Sequence, residues 1–162
     1  MPPHPQHVAF VRDILRRRPD PARTCPKRFF FSRDRIAARL VVNTAEFQKV
    51  LDDYGFVTVD LPMLSIAEQR DLFSESEILL GAIGTDLFTA HFAPEGCTVI
   101  SMQWDSTWTL DAYNPQTCAM LGLKHQFFLC PDTRPVKNSR SWLDLDFTVD
   151  CAALRQRLDE LR

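Results

Sequence analysis

Short apolar runs of strand length alternate with amphipathic stretches of about ten residues along most of this chain, and that alternation is the strongest constraint on its fold. Arg28-Phe29-Phe30-Phe31-Ser32 is an aromatic run of strand type, and residues 56–61, the run beginning at Ile78, residues 97–102 and residues 126–130 repeat the signal. Between them, Phe47, Val50, Leu51 and Tyr54 fall on one face of a helix over 44–54 that stops at Gly55. Ser65-Ile66-Ala67-Glu68 is a capping-box sequence opening a helix that runs to about residue 73 or 74. Residues 85–92 read as a short helix, and Asn114, Pro115 and Gly122 frame another as N-cap, first helical residue and terminator.

At the amino-terminal end, Val8, Val11, Ile14 and Leu15 mark a helix over 6–18, ended by Pro19-Asp20-Pro21 and a linker to about residue 26. At the other end a polar loop over 131–146 leads to a helix carrying Cys151, Leu154, Leu158 and Leu161. Leu40-Val41-Val42 is a further apolar patch of no assigned type. Strands alternating with helices require crossover connections. The expectation is therefore an α/β, Rossmann-like parallel sheet of about five strands with helices on both faces, over 27–162, preceded by a basic helix and linker over 1–26.

With 162 residues, 45% of them hydrophobic, the chain suits one globular domain with a sizeable core. Residues 1–40 carry ten Lys/Arg against three Asp/Glu, and the remainder carries nine against eighteen, so a basic segment sits on an acidic body. Arg16-Arg17-Arg18 is best read as a solvated helix end rather than a nucleic-acid contact. Five cysteines without a C-x-x-C pair, and four histidines without ligand spacing, argue for a reducing compartment and no zinc site. No apolar run reaches the length of a membrane span and Met1-Pro2-Pro3-His4-Pro5 is not a signal peptide, so a cytoplasmic chain is expected, with peripheral membrane contact left open.

In a doubly wound sheet the ligand sits beyond the carboxyl ends of the strands, near the point where strand order reverses. Ser32-Arg33, Leu61-Pro62 and residues 81–85 should converge there. Ile78-Leu79-Leu80-Gly81-Ala82-Ile83-Gly84-Thr85-Asp86-Leu87 reads as a strand, a glycine turn and a helix start, the junction at which phosphates are commonly bound. Arg33 and Arg39, with Asn43 close behind, bring guanidinium forks to the same end.

The ordered series Phe31-Ser32-Arg33, Arg39 with Val41-Val42-Asn43, Gly55-Phe56, Leu64-Ser65 with Glu68-Gln69 and Leu72-Phe73, then Gly81-Ala82-Ile83-Gly84 with Leu87, Phe92 and Pro94, resembles the carboxyl-terminal half of glycosyltransferase family 61. That family's pattern runs Ser-Arg, Arg-x-x-x-Asn-Glu, Gly-Phe, Leu-Ser-x-x-Glu-Gln, Gly-x-His-Gly-Ala-Gly-Leu and Phe-x-Pro, and the likeness covers residues 27–102. The resemblance implies an inverting transferase of the two-Rossmann-domain (GT-B) type, binding a nucleotide-sugar donor without a metal or other cofactor. It would place Ser32, Arg33, Arg39, Asn43, Gly81, Gly84 and Thr85 at or near the donor diphosphate. The acceptor would be a glycan, polysaccharide or protein hydroxyl, and a partner domain or a second copy would supply the acceptor side.

Five residues depart from that pattern. Ile83 stands at the motif histidine, Thr85-Asp86 at the Ala-Gly pair, Ser101 at an expected acid and Thr44 at the Glu after Asn43. Isoleucine donates no hydrogen bond, and Asp86 brings negative charge to the same turn. The alternative reading is accordingly a non-catalytic module of this type that acts in protein interaction. No catalytic residue is assigned. Asp144-Leu145-Asp146 as a metal-binding triplet, His91 or His125 as a base, Trp104, Trp108 and Trp142 as sugar platforms and Cys130 as a nucleophile are each weaker than a packing or surface role.

Overall fold

The computed structural model describes residues 4–15, 26–35, 38–104, 113–131, 133–135 and 145–162. Helix α1 (Pro5–Leu15) comes first, followed by β1 (Arg28–Phe31), α2 (Thr44–Asp53), β2 (Phe56–Val59), α3 (Ile66–Phe73) and β3 (Ile78–Ala82). Then come β4 (Thr98–Gln103), α4 (Tyr113–Met120), β5 (Lys124–Leu129), β6 (Thr133–Pro135), β7 (Leu145–Phe147) and α5 (Cys151–Asp159). Strands β1 to β5 form one parallel sheet in the order β2-β1-β3-β4-β5. This is the expected Rossmann-like arrangement. Strand order reverses between β1 and β3, so the chain leaves those two neighbouring strands in opposite directions and opens a crevice at their carboxyl ends.

Side-chain alternation along the strands sorts the core into two layers. Phe30 on β1, Ile78, Leu80 and Ala82 on β3 and Ile100 and Met102 on β4 face the layer of Phe47, Val50 and Leu51 from α2 and Leu154 and Leu158 from α5. Phe29, Phe31, Leu79 and Val99 face the opposite layer, built from Val8 of α1, Phe73 of α3, Leu87 and Ala90 of the segment after β3, and Cys118 of α4. Edge-to-face aromatic pairs bind both layers to the sheet. Phe30 meets Phe47 with ring centroids 4.9 Å apart, and Phe29 meets Phe73 at 5.0 Å.

Local signals in the sequence act as expected at several boundaries. The Ser65 hydroxyl accepts from the Glu68 N–H, and the Glu68 carboxylate accepts from the Ser65 N–H at 2.8 Å, completing the capping box of α3. The Ser65 hydroxyl also donates to Glu68 Oε2 at 2.7 Å, and this bond first, then the one from the Ser65 N–H, holds the Glu68 carboxyl below its ordinary pKa. Asp150 caps α5 by accepting from the Ala153 N–H at 3.0 Å.

The short helix expected over 85–92 is present and winds as a 3-10 helix, Thr85–Phe92. The segment contains two threonines, two phenylalanines and a histidine, which are weaker helix formers, and only one alanine. Elsewhere the structure corrects the reading. Helix α4 starts at Tyr113, which puts Asn114 and Pro115 inside its first turn. The expected polar loop over 131–146 contains the two short antiparallel strands β6 and β7. The patch Leu40-Val41-Val42 is bound to β7: the Phe147 N–H donates to the Leu40 carbonyl at 2.9 Å and the Val42 N–H donates to the Phe147 carbonyl at 2.8 Å. Asp146 adds a third tie by accepting from the Leu40 N–H at 2.9 Å. Arg16 to Arg18, the linker after them and Cys25 lie outside the described residues.

Candidate functional site

A cleft of about 190 Å³ opens at the carboxyl ends of β1 and β3. Its polar rim is Ser32, Arg33, Asp34 and Arg39; its floor is apolar, with Phe30, Phe47, Ala82 and Phe147. The fold brings these groups together because β1 and β3 are adjacent in register, Phe31 lying beside Gly81. The loop that follows β1 is held down at Leu40 and Val42 by β7.

Two guanidinium groups meet over Gly84. A methyl group built on Gly84 would stand 3.0 Å from Arg39 Nη1 and 3.1 Å from Arg33 Nη1. Gly84 also has φ +154°, a conformation that side chains with a Cβ rarely adopt. The backbone conformation favours glycine there, and a methyl would be admitted only if both guanidinium tips gave way by a few tenths of an ångström. Arg39 Nη1 donates to the Ile83 carbonyl at 2.7 Å, so that guanidinium is fastened to the end of β3. Arg39 itself sits at φ +63°, a left-handed conformation that costs a non-glycine residue about 1 kcal/mol or more. Arg33 Nε donates to the Ala38 carbonyl at 3.2 Å, and Arg33 Nη1 pairs with the carboxylate of Asp86.

The remaining expected site residues divide by location. Ser32 lines the cleft, its N–H bound to the Val59 carbonyl at 2.9 Å and its hydroxyl donating to Asp34 Oδ2 at 2.7 Å. Gly81 lies one layer below. A Cβ there would stand 3.2 Å from Phe31 Cδ2 and 3.4 Å from Leu87 Cδ2, so this glycine admits the packing of two core side chains. Asn43 is turned toward the carboxyl-terminal segment: Nδ2 donates to the Val149 carbonyl and Oδ1 accepts from the Val149 N–H, both at 2.9 Å. Thr85 opens the 3-10 helix beside Gly84.

Sequence reasoning recognised Asp86 as a negative charge at this turn but not its partner, 53 residues away on the loop after β1. No periodicity or spacing carries that pairing. A second pair was missed for the same reason: Ser101 Oγ and His125 Nε2 are 2.8 Å apart on neighbouring strands β4 and β5. Ser101 is fully buried there.

The weaker candidates take structural positions. Trp104 is buried and stacks on Phe147 with ring centroids 5.7 Å apart. Trp108, Trp142 and Asp144 lie outside the described residues. His91 Nδ1 lies 2.8 Å from the Phe88 carbonyl. Burial pushes the Cys130 thiol up to about 12 and the Cys97 thiol up to about 11. A thiol held protonated in this way is a poor nucleophile. Among the described residues no three His, Cys, Asp or Glu side chains are gathered as a metal ion would require. Among them, too, no helix is long and apolar enough to cross a membrane.

The fold makes this chain a Rossmann-like α/β domain whose polar cleft lies at the strand-order reversal. The family model for glycosyltransferase 61 matches residues 1–100, more than half of the chain, and the chain belongs to that family. The matched region runs from α1 through the first half of β4 and contains Arg33, Arg39, Gly84 and Asp86. No curated protein matches the chain. The family supports a glycosyltransferase function, with a sugar donor and an acceptor as substrates.

Proposed function

We propose that the cleft receives the diphosphate of a nucleotide-sugar donor, and that the sugar is passed to a hydroxyl of a glycan, polysaccharide or protein acceptor. The observation that carries this reading is the convergence of Arg33 and Arg39 on Gly84, at the strand-order reversal of a glycosyltransferase 61 domain. A departing nucleoside diphosphate develops negative charge on its bridging oxygen. Fixed guanidinium groups beside it stabilise that charge as the bond to the sugar breaks. Arg39 is held at the end of β3 by its bond to the Ile83 carbonyl, which fixes the side chain in place. Backbone N–H groups of the Gly84-Thr85 turn would assist, and the scheme uses no metal. Ser32 would contribute at the rim, whereas Asn43 and Gly81 would support the cleft from behind. The acceptor site and the general base of an inverting transfer would come from a partner domain or a second copy.

A second reading, a non-catalytic module acting in protein interaction, is favoured by one observation: Arg33 already carries an internal carboxylate. Calorimetric titration with UDP and a panel of UDP- and GDP-sugars, repeated on Arg39→Ala, separates the two. A donor site is expected to lose at least tenfold in affinity in the variant, about 1.4 kcal/mol. Absence of binding by the folded wild-type chain at millimolar nucleotide would favour the interaction module.

A further inference from the structure

The Arg33–Asp86 pair forms the partition between two concave surfaces. Arg33 lines the polar cleft, while Asp86 lines a shallow apolar groove with Leu61, Leu64, Ile66 and Phe88. The two side chains are only 10% and 14% exposed, so each charge is largely withdrawn from water and depends on the other. Asp86 is held in place as well: its carbonyl accepts from the Thr89 hydroxyl at 2.7 Å, in the first turn of the 3-10 helix. A carboxylate in that turn is attracted both by the guanidinium and by the positive end of the helix. Those are the two attractions that would hold a diphosphate.

We propose that Asp86 is an internal counter-ion occupying the anion site of the cleft, and that a diphosphate enters by displacing it from Arg33. This rests on the donor reading above and specifies how that site is controlled. Asp86 stabilises the empty cleft by neutralising a buried guanidinium, and the same contact lowers affinity for any anionic ligand. A diphosphate brings two or more negative charges to a place already holding one, so the pair must open and Asp86 must turn toward the groove. The groove side of Asp86 then decides how readily the cleft loads.

The test is calorimetric titration of the full chain with inorganic pyrophosphate and with UDP, on wild type, Asp86→Asn and Asp86→Ala at matched ionic strength, with circular dichroism as the check on folding. Both substitutions are expected to tighten binding of both ligands at least tenfold, about 1.4 kcal/mol. Adding Arg33→Ala to Asp86→Asn is expected to abolish the gain. Wild-type binding that is unchanged or weakened by the substitutions overturns the proposal and leaves the donor reading standing. Failure of every folded chain to bind at millimolar ligand overturns both. A gain for pyrophosphate without one for UDP reduces the site to a simple anion trap and overturns the donor-linked role. Should the substitutions unfold the chain, the carboxyl carbon-13 resonance of Asp86 in the wild type decides. It is expected to shift on addition of pyrophosphate, and a resonance that stays in place while pyrophosphate binds overturns the proposal.

Discussion

Asn43 and Val149 are joined by two reciprocal hydrogen bonds: the side-chain amide of one copies the pairing that a neighbouring strand would offer to the backbone of the other. The contact ties the start of α2 to the lead-in of α5, across 106 residues of sequence. Val149 is 2% exposed, so water does not replace the lost partners. Asn43→Ala is expected to leave a buried N–H and a buried carbonyl unsatisfied and to cost about 2 to 4 kcal/mol. Asn43→Asp should do no better, since an oxygen would then face the Val149 carbonyl. Urea unfolding measures this, and a loss below about 0.5 kcal/mol would show that the contact is dispensable.

Two glycines three residues apart are predicted to fail in different ways. Gly81→Ala drives a methyl into Phe31 and Leu87 in the centre of the sheet, an overpacking worth roughly 1 to 3 kcal/mol of stability. Nucleotide affinity of the remaining folded protein should hold. Gly84→Ala meets a positive φ that costs roughly 1 to 3 kcal/mol and also pushes aside the guanidinium groups of Arg39 and Arg33. Its nucleotide affinity should fall as well. Melting curves and nucleotide titration on the two variants check this, and equal affinity losses would refute the separation.

Cys97, Cys118, Cys130 and Cys151 are all buried, none of them in a disulfide. Burial raises the Cys97 thiol to about 11 and the Cys130 thiol to about 12, and burial first of all raises Cys151 as well. A folded-state pKa above the unfolded one means that the native chain keeps its proton longer than the unfolded chain. The contribution to stability is therefore complete below the unfolded thiol value of about 8.5 and is lost as pH climbs through the folded values. Melting temperature should fall between about pH 9 and pH 12, with a shallower fall in Cys130→Ala. At about pH 8 a thiol reagent should leave Cys97 and Cys130 unlabelled until denaturant is added. Labelling of Cys130 in the native protein, read by mass spectrometry, would contradict its placement.

The fold was legible wherever a residue's role is decided by its near neighbours. Alternation of strand and helix patterns leads to the parallel sheet, and Ser65 with Glu68 leads to the start of α3. The nearness of Arg33 to Gly84 was also legible, because both follow strands that end at the same edge. What escaped is decided by partners far along the chain. Asn43 looks like a donor-site amide in the sequence and serves as a bracket for Val149 in the structure. Asp86 looks like a misplaced charge and is a paired one. Strands β6 and β7 are three residues each, too short for alternation to register, and exist because they pair with each other and because β7 also pairs with Val41.

The backbone bonds between β7 and the loop after β1 impose an order of events on the living protein. Leu40 waits for Asp146 and Phe147, which leave the ribosome 106 and 107 residues later. At roughly 5 to 20 residues per second, that is a delay of about 5 to 20 s. Phe147 also supplies part of the cleft floor. During that interval the nascent chain carries both guanidinium groups before it has the wall against which the cleft takes its shape. Until Phe147 has been made, those charges stand without that wall, and the cleft takes its shape only when residues more than a hundred positions apart are both present.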